Sequence, residues 1–177
     1  MKLKFLAIAV IFVLAACTTA PKSAEGKLAI QKDADTALAK AQAADSTLTN
    51  LVRDSYGYAV FPSVGKGGFG LGGAYGQGIL YEHGVFVGYC DLSQASIGLQ
   101  LGGQRYTEII IFENKKAVEY FKSGNFAFDA QATAVALKSG AGANAKYSEG
   151  VAIFTMDETG LMYEASVGGQ KFRYQAR

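Results

Sequence analysis

The chain has 177 residues, half of them hydrophobic and 18% charged, with 17 Lys plus Arg against 15 Asp plus Glu. That length and apolar content suit one core-forming domain with a short leader and exclude a disordered chain. Trp is absent, His occurs once and Cys twice, which leaves little material for a metal centre or a disulfide framework.

The N-terminus reads Met1-Lys2-Leu3-Lys4, followed by FLAIAVIFVLAA from Phe5 to Ala16. Two lysines, an apolar run and a small-residue boundary describe a secretory leader, too short for a comfortable membrane span. Leu14-Ala15-Ala16-Cys17 resembles the bacterial lipoprotein lipobox, in which the leader is cut before the cysteine and that cysteine carries the acyl chains. The expected division is a signal peptide at 1–16, a lipidated tether at 17–26 and one domain at 27–177. Thr18, rather than Asp, after the cysteine resembles lipoproteins sorted to the outer membrane, so the expected location is that membrane, facing the periplasm. Cleavage removes Lys2 and Lys4, taking Lys plus Arg from 17 to 15, level with the acidic residues. A near-neutral mature chain lacks the clustered cations that nucleic-acid binding requires.

From Lys27 to Arg53 the pattern is helical, with Leu28, Ala34, Ala37, Leu38, Ala41 and Ala44 at near-helical spacing. Asp45-Ser46 offers a break and a new N-cap, which predicts two helices. Their alanine-rich face and balanced charge favour packing on the domain over lying in a membrane surface.

Tyr58 to Phe61 reads as a short strand closed by Pro62. A glycine-rich stretch follows, in which eight of the fourteen residues from Gly65 to Gly78 are glycine. Phe69 and Leu71 alternate with Gly68, Gly70 and Gly72, so as a strand one face carries bulk and the other is bare. The G-x-G-x-x-G look-alike at Gly65, Gly67 and Gly70 leads into Ile79-Leu80-Tyr81, which is strand chemistry rather than the helix a nucleotide site needs. The stretch is expected to open a run of hairpins.

His83-Gly84 marks a turn, with Gly84 supplying a positive φ. Cys90 alternates with Phe86 and Gly88 and reads as a small buried hydrophobe. Ser93 to Gly103 puts Ala95, Ile97, Leu99 and Leu101 on one face and Ser96, Gly98, Gln100 and Gly102 on the other. Arg105 to Phe112 is a strand with a buried, β-branched end. Asn114 caps a short helix that stops at Gly124. Phe126 to Leu137 alternates as a strand, with helix still open because of its alanines. Ser139 to Ser148 reads as an exposed loop. Val151–Met156 and Leu161–Val167 then read as a hairpin across Asp157 to Gly160, before a last short strand from Gln170 to Tyr174.

The run GYAVFPSVGKGGFGLGGAYGQGILY, followed by ASIGLQLGGQRYTEIIIF, NKKAVEYFKSGNFAFDAQATAVAL and GVAIFTMDETGLMYEASVGG, resembles the SYLF domain family. The resemblance covers roughly Ala39 to Phe172. It implies an α+β fold, with N-terminal helices packed on a curved, glycine-rich antiparallel β-sheet or partly closed barrel. It also implies a non-enzymatic role in binding membrane lipid, with phosphoinositides the ligand in eukaryotic members and actin a partner in the yeast branch. Here Lys27, Lys32, Lys40 and Arg53 are matched by Asp33, Asp35, Asp45 and Asp54, and a periplasm offers neither actin nor phosphoinositides, so only a general affinity for lipid carries over.

Two readings of function follow. The first is a lipid-anchored module, acylated at Cys17, whose bare glycine face takes a phospholipid or other amphiphile. Its candidate contacts are Phe69, Gly70 and Gly98 on the strands, with Lys66 and Arg105 either meeting a headgroup or standing as solvated strand ends. The second is a structural or protein-interaction lipoprotein whose glycines let strands pack closely. No nucleophile has an identifiable base, so no enzyme, cofactor or metal site is expected. The single histidine sits at a turn tip.

Overall fold

The computed structural model describes residues 19–128, 133–157 and 164–177, with the backbone alone at 68–71, 96–102, 133 and 164–166. The leader, the lipobox and Cys17 lie outside the described residues. Helices α1 (Ala24–Ala44) and α2 (Thr47–Asp54) come first. Ser23 caps α1, its hydroxyl accepting from the Gly26 amide at 3.0 Å. The helix therefore begins inside the stretch expected as tether. Thr19 and Ala20 before it are buried, and the Thr19 carbonyl accepts from Gln77 Nε2 at 3.2 Å.

The helices break at Asp45-Ser46, but Ser46 is not the cap. Its φ of −61° and ψ of −24° are already helical and its hydroxyl caps nothing. The buried Asp45 carboxylate takes that place, accepting from the Thr47 amide (3.1 Å) and hydroxyl (2.7 Å) and, across the fold, from the amides of Gly140 (3.0 Å) and Gly142 (2.6 Å). The loop expected to be exposed is therefore pinned. Ala141 and Gly142 are buried, and a 3-10 turn forms at Gly142–Asn144.

Strands β1 (Gly57–Glu82) and β2 (Val85–Phe112) form a single hairpin of 26 and 28 residues, not a run of short ones. Against the expectation that Pro62 ends a strand, β1 runs through it. The register shifts between Phe61 and Val64, so Pro62 lies in a bulge, where a missing N–H is tolerated. The turn is His83-Gly84, with φ of 47° and 76°, the left-handed pair that a two-residue hairpin turn needs.

The ends of β1 meet one another. The His83 amide donates to the Tyr56 carbonyl at 3.0 Å, and a Cβ at Gly78 would stand 2.5 Å from Val60 O and 2.7 Å from Phe61 Cδ1. At Gly57 it would stand 2.7 Å from Tyr81 O. The strand doubles back through its glycine-rich middle, and the absence of side chains at these crossings lets the two ends come together.

Helix α3 (Lys115–Lys122) follows, capped by Asn114, whose Oδ1 accepts from the Ala117 amide at 3.1 Å, and closed by Gly124 at φ 73°. Strands β3 (Thr133–Ala136), β4 (Val151–Asp157), β5 (Glu164–Ser166) and β6 (Lys171–Ala176) complete the sheet. Its order is β1-β2-β4-β3-β5, with β6 paired to the other half of β2. The hairpin expected between β4 and β5 does not form: β3 enters between them, parallel to β4 and antiparallel to β5. The result is the expected α+β fold with N-terminal helices on a glycine-rich sheet, mixed rather than purely antiparallel, and open rather than closed.

Each face of the sheet carries a core. On the inner face, Ala59, Phe61, Ile110 and Phe112 pack with α3 and an aromatic cluster of Phe121, Phe126, Phe128 and Phe172; Cys90 is buried there as a free thiol. On the outer face, Tyr58, Val60, Ile109 and Ile111 pack under Ala34, Ala37 and Ala41 of α1 and Leu48 and Val52 of α2. This two-sided burial is why Ile109 to Phe112 is apolar without alternation.

Candidate functional site: a cleft between α1 and β1

Gly70 and Gly98 are partners in the β1–β2 register. Phe69, Gly70 and Gly98 fall where the backbone alone is described, so what lies over that part of the ribbon is outside the described residues. Arg105 pairs with Gly65, and Lys66 with Gln104, one rung away. Adjacent rungs face opposite ways, so Lys66 and Arg105 do not bracket one headgroup. Lys66 faces inward, where burial pulls its pKa down against the attraction of Glu108. Arg105 is exposed, on the face of β2 that carries Thr107 and Ile109. Beside it the ribbon is open, since a Cβ at Gly65 or Gly103 would have its nearest neighbour 4.0 or 3.9 Å away.

The inner face carries a buried polar group. Gln170 Nε2 donates to Glu108 Oε2 at 3.0 Å and to the Tyr106 hydroxyl at 3.3 Å, and Thr155 lies opposite Glu108 in register. Burial pushes the Glu108 carboxyl up to about 7, although Gln170, Tyr106 and Lys66 all favour its charged form. Elsewhere polar contacts staple elements together. Tyr81 donates to Asp35 at 2.7 Å and ties α1 to the sheet, and Arg173 grips the buried Asp91 through two bonds of 3.0 and 2.9 Å. Lys122 pairs with Glu82 and sits 5.7 Å over the Tyr174 ring, which makes it a fastener of α3 and not a free surface cation.

Where α1 leaves the sheet, a cleft of about 670 Å³ opens between the helix and the bulged part of β1. Ile30, Ala37, Pro62, Tyr75 and Met156 supply apolar wall, and Asp33, Lys40, Ser63, Gln77 and Asp157 supply polar groups. The Pro62 bulge shapes it: the Pro62 carbonyl accepts from the Thr107 hydroxyl at 3.0 Å, holding the kink and fixing two of the lining residues. Tyr75 is 40% exposed, an aromatic ring left half in solvent at the cleft. The volume lies in the range that small-molecule sites occupy, and the mixture of apolar wall and a few polar groups is the usual composition of such sites. A cavity lined by Phe128, Val135 and Lys146 among others measures about 280 Å³ and falls below that range, and a hollow of about 460 Å³ beside α2, lined by Thr47, Leu51 and Tyr147 among others, is smaller than the cleft. Among the described residues no group of three or more His, Cys, Asp or Glu is placed to hold a metal ion. No described helix is long and apolar enough to cross a membrane.

Comparison with known proteins gives the family. The model described as Ysc84, Las17-binding protein actin regulator, matches residues 93–176, from within β2 to β6. Beta cell expansion factor A of Aeromonas veronii is 32% identical over 155 residues, 86% of this chain. The chain belongs to the SYLF family. It spans 59% of that SYLF relative's length. The description of the SYLF model names binding and regulation rather than catalysis. Its match takes in Thr107, Met156 and Asp157 of the cleft, whereas the α1 wall and β1 precede the matched residues.

Proposed function

We propose that this SYLF protein is an exported, non-enzymatic module, anchored by lipid on Cys17 to the outer membrane, that takes a phospholipid or related amphiphile into the cleft between α1 and β1. The observation that carries the reading is the cleft itself, about 670 Å³ with apolar walls and a polar fringe of both charges. The leader and lipobox support the anchor, and membership of a lipid- and actin-binding family supports the ligand class. The cleft is taken as the site because it is walled by α1 and β1, whereas the ribbon at Gly65 and Gly103 is open; at Gly57 and Gly78 neighbouring backbone stands where a side chain would go.

Those same contacts favour a second reading, in which the glycines serve close packing and the protein is a structural or interaction lipoprotein with no ligand beyond its anchor. Thr36 separates the two. It is exposed and lines the cleft, its hydroxyl donating back to the Lys32 carbonyl at 2.8 Å, so Thr36→Trp fills the space without emptying a core. The leaderless chain from Thr19 keeps every described residue of both cores. Native mass spectrometry of that chain is expected to show bound lipid, absent from Thr36→Trp, with melting temperatures alike. A wild-type chain without lipid supports the second reading.

A further inference from the structure

The N-terminal residues fix where the cleft sits relative to the membrane. Thr19 and Ala20 are buried against the domain, and the Thr19 carbonyl is held by Gln77, whose side chain also lines the cleft. Between Cys17 and Thr19 stands Thr18 alone. Two residue steps reach at most about 7 Å, about the thickness of one headgroup layer, so an acyl anchor on Cys17 holds the domain against the bilayer surface.

We propose that the α1–β1 cleft opens directly onto the leaflet that holds the anchor, so that the occupant is a phospholipid of that leaflet and not an amphiphile captured from solution. This rests on the lipid-anchored reading above. The chemistry of the cleft mouth agrees with it. Ser63, Gln77, Lys40 and Asp33 offer donors and acceptors of both charges at headgroup level, while Tyr75 presents a half-exposed ring with a polar tip, the type of side chain favoured where apolar and aqueous phases meet. Helix α3, packed on the opposite face of the sheet, then points away from the membrane, and its exposed Lys116 faces the aqueous phase.

The test uses the full acylated chain in phosphatidylethanolamine/phosphatidylglycerol vesicles carrying a headgroup spin-label quencher. Ser63→Cys and Lys116→Cys each add one exposed thiol for a fluorophore, because Cys90 is buried. Quenching at position 63 is expected to exceed that at 116 several-fold. A Gly/Ser insertion of about twelve residues after Cys17, spanning about 20 Å as a random coil, is expected to remove the difference while leaving the protein on the vesicles. Equal quenching in the uninserted chain, or stronger quenching at 116, overturns the orientation and leaves the anchored reading intact if the intact mass shows acyl chains on Cys17. A mass without acyl chains overturns both.

Discussion

Glu108 and Asp45 are both buried carboxyls, and their surroundings give them opposite pH dependence. Burial dominates at Glu108, whose pKa of about 7 in the fold stands above its ordinary value of 4.5. The fold therefore binds a proton that the unfolded chain has lost. Its contribution is fully present below about pH 4.5 and disappears as pH rises through about 7, a difference of at most about 3 kcal/mol. At Asp45 burial also raises the pKa, but the bonds from Thr47, Gly142 and Gly140 outweigh it and hold the carboxyl below 3.8. Its contribution is present above about pH 4 and is lost as pH falls through the lowered value. Stability is expected to peak in mildly acidic solution and decline toward pH 8, and Glu108→Gln is expected to flatten that decline. Denaturant melts at several pH values check this; an unchanged slope in Glu108→Gln contradicts it. Neither role was legible in the sequence. Asp45-Ser46 reads as a helix break and N-cap, but the bonds that carry Asp45's stability role across the fold do not show, because Gly140 and Gly142 lie 95 and 97 positions away. Glu108 looked like one polar residue at the start of an apolar strand.

At the scale of elements, what was legible was local. The break after Ala44, the His83-Gly84 turn and the Asn114 cap each depend on a few neighbouring residues and form where expected. What failed was pairing over distance. The sequence between β4 and β5 has turn chemistry, yet β3 takes the place beside β4, a choice set by which edges the sheet leaves open. The bare glycines were read correctly as strand, but whether bareness serves a ligand or a close crossing depends on how β1 doubles back. Gly78→Ala should meet Val60 backbone and the Phe61 ring and cost roughly 1–3 kcal/mol or more. Gly65→Ala, with its nearest neighbour at 4.0 Å, should be neutral or slightly stabilising through the unfolded chain. Equal melting temperatures for the two variants would contradict the crossing.

For the whole molecule, the long hairpin acts as a frame with a core on each face. The inner core is closed by α3 and aromatic rings, while the outer is closed by α1 and α2 only where the alanines of α1 let the helix lie close. Where α1 carries Asp33, Thr36 and Lys40 the contact stops and the cleft begins. Those residues read in the sequence as an ordinary solvated face, so the cleft had no local signature. Methyl NMR of the leaderless chain, titrated with a short-chain phospholipid below its micelle concentration, tests the central claim most directly. Ile30 and Met156 line the cleft, whereas Val135 lies at the smaller cavity and Val85 at the hairpin tip. The account predicts saturable shifts at Ile30 and Met156 with Val135 and Val85 unmoved. Shifts confined to Val135 or Val85, or no shift at any of the four, would contradict it.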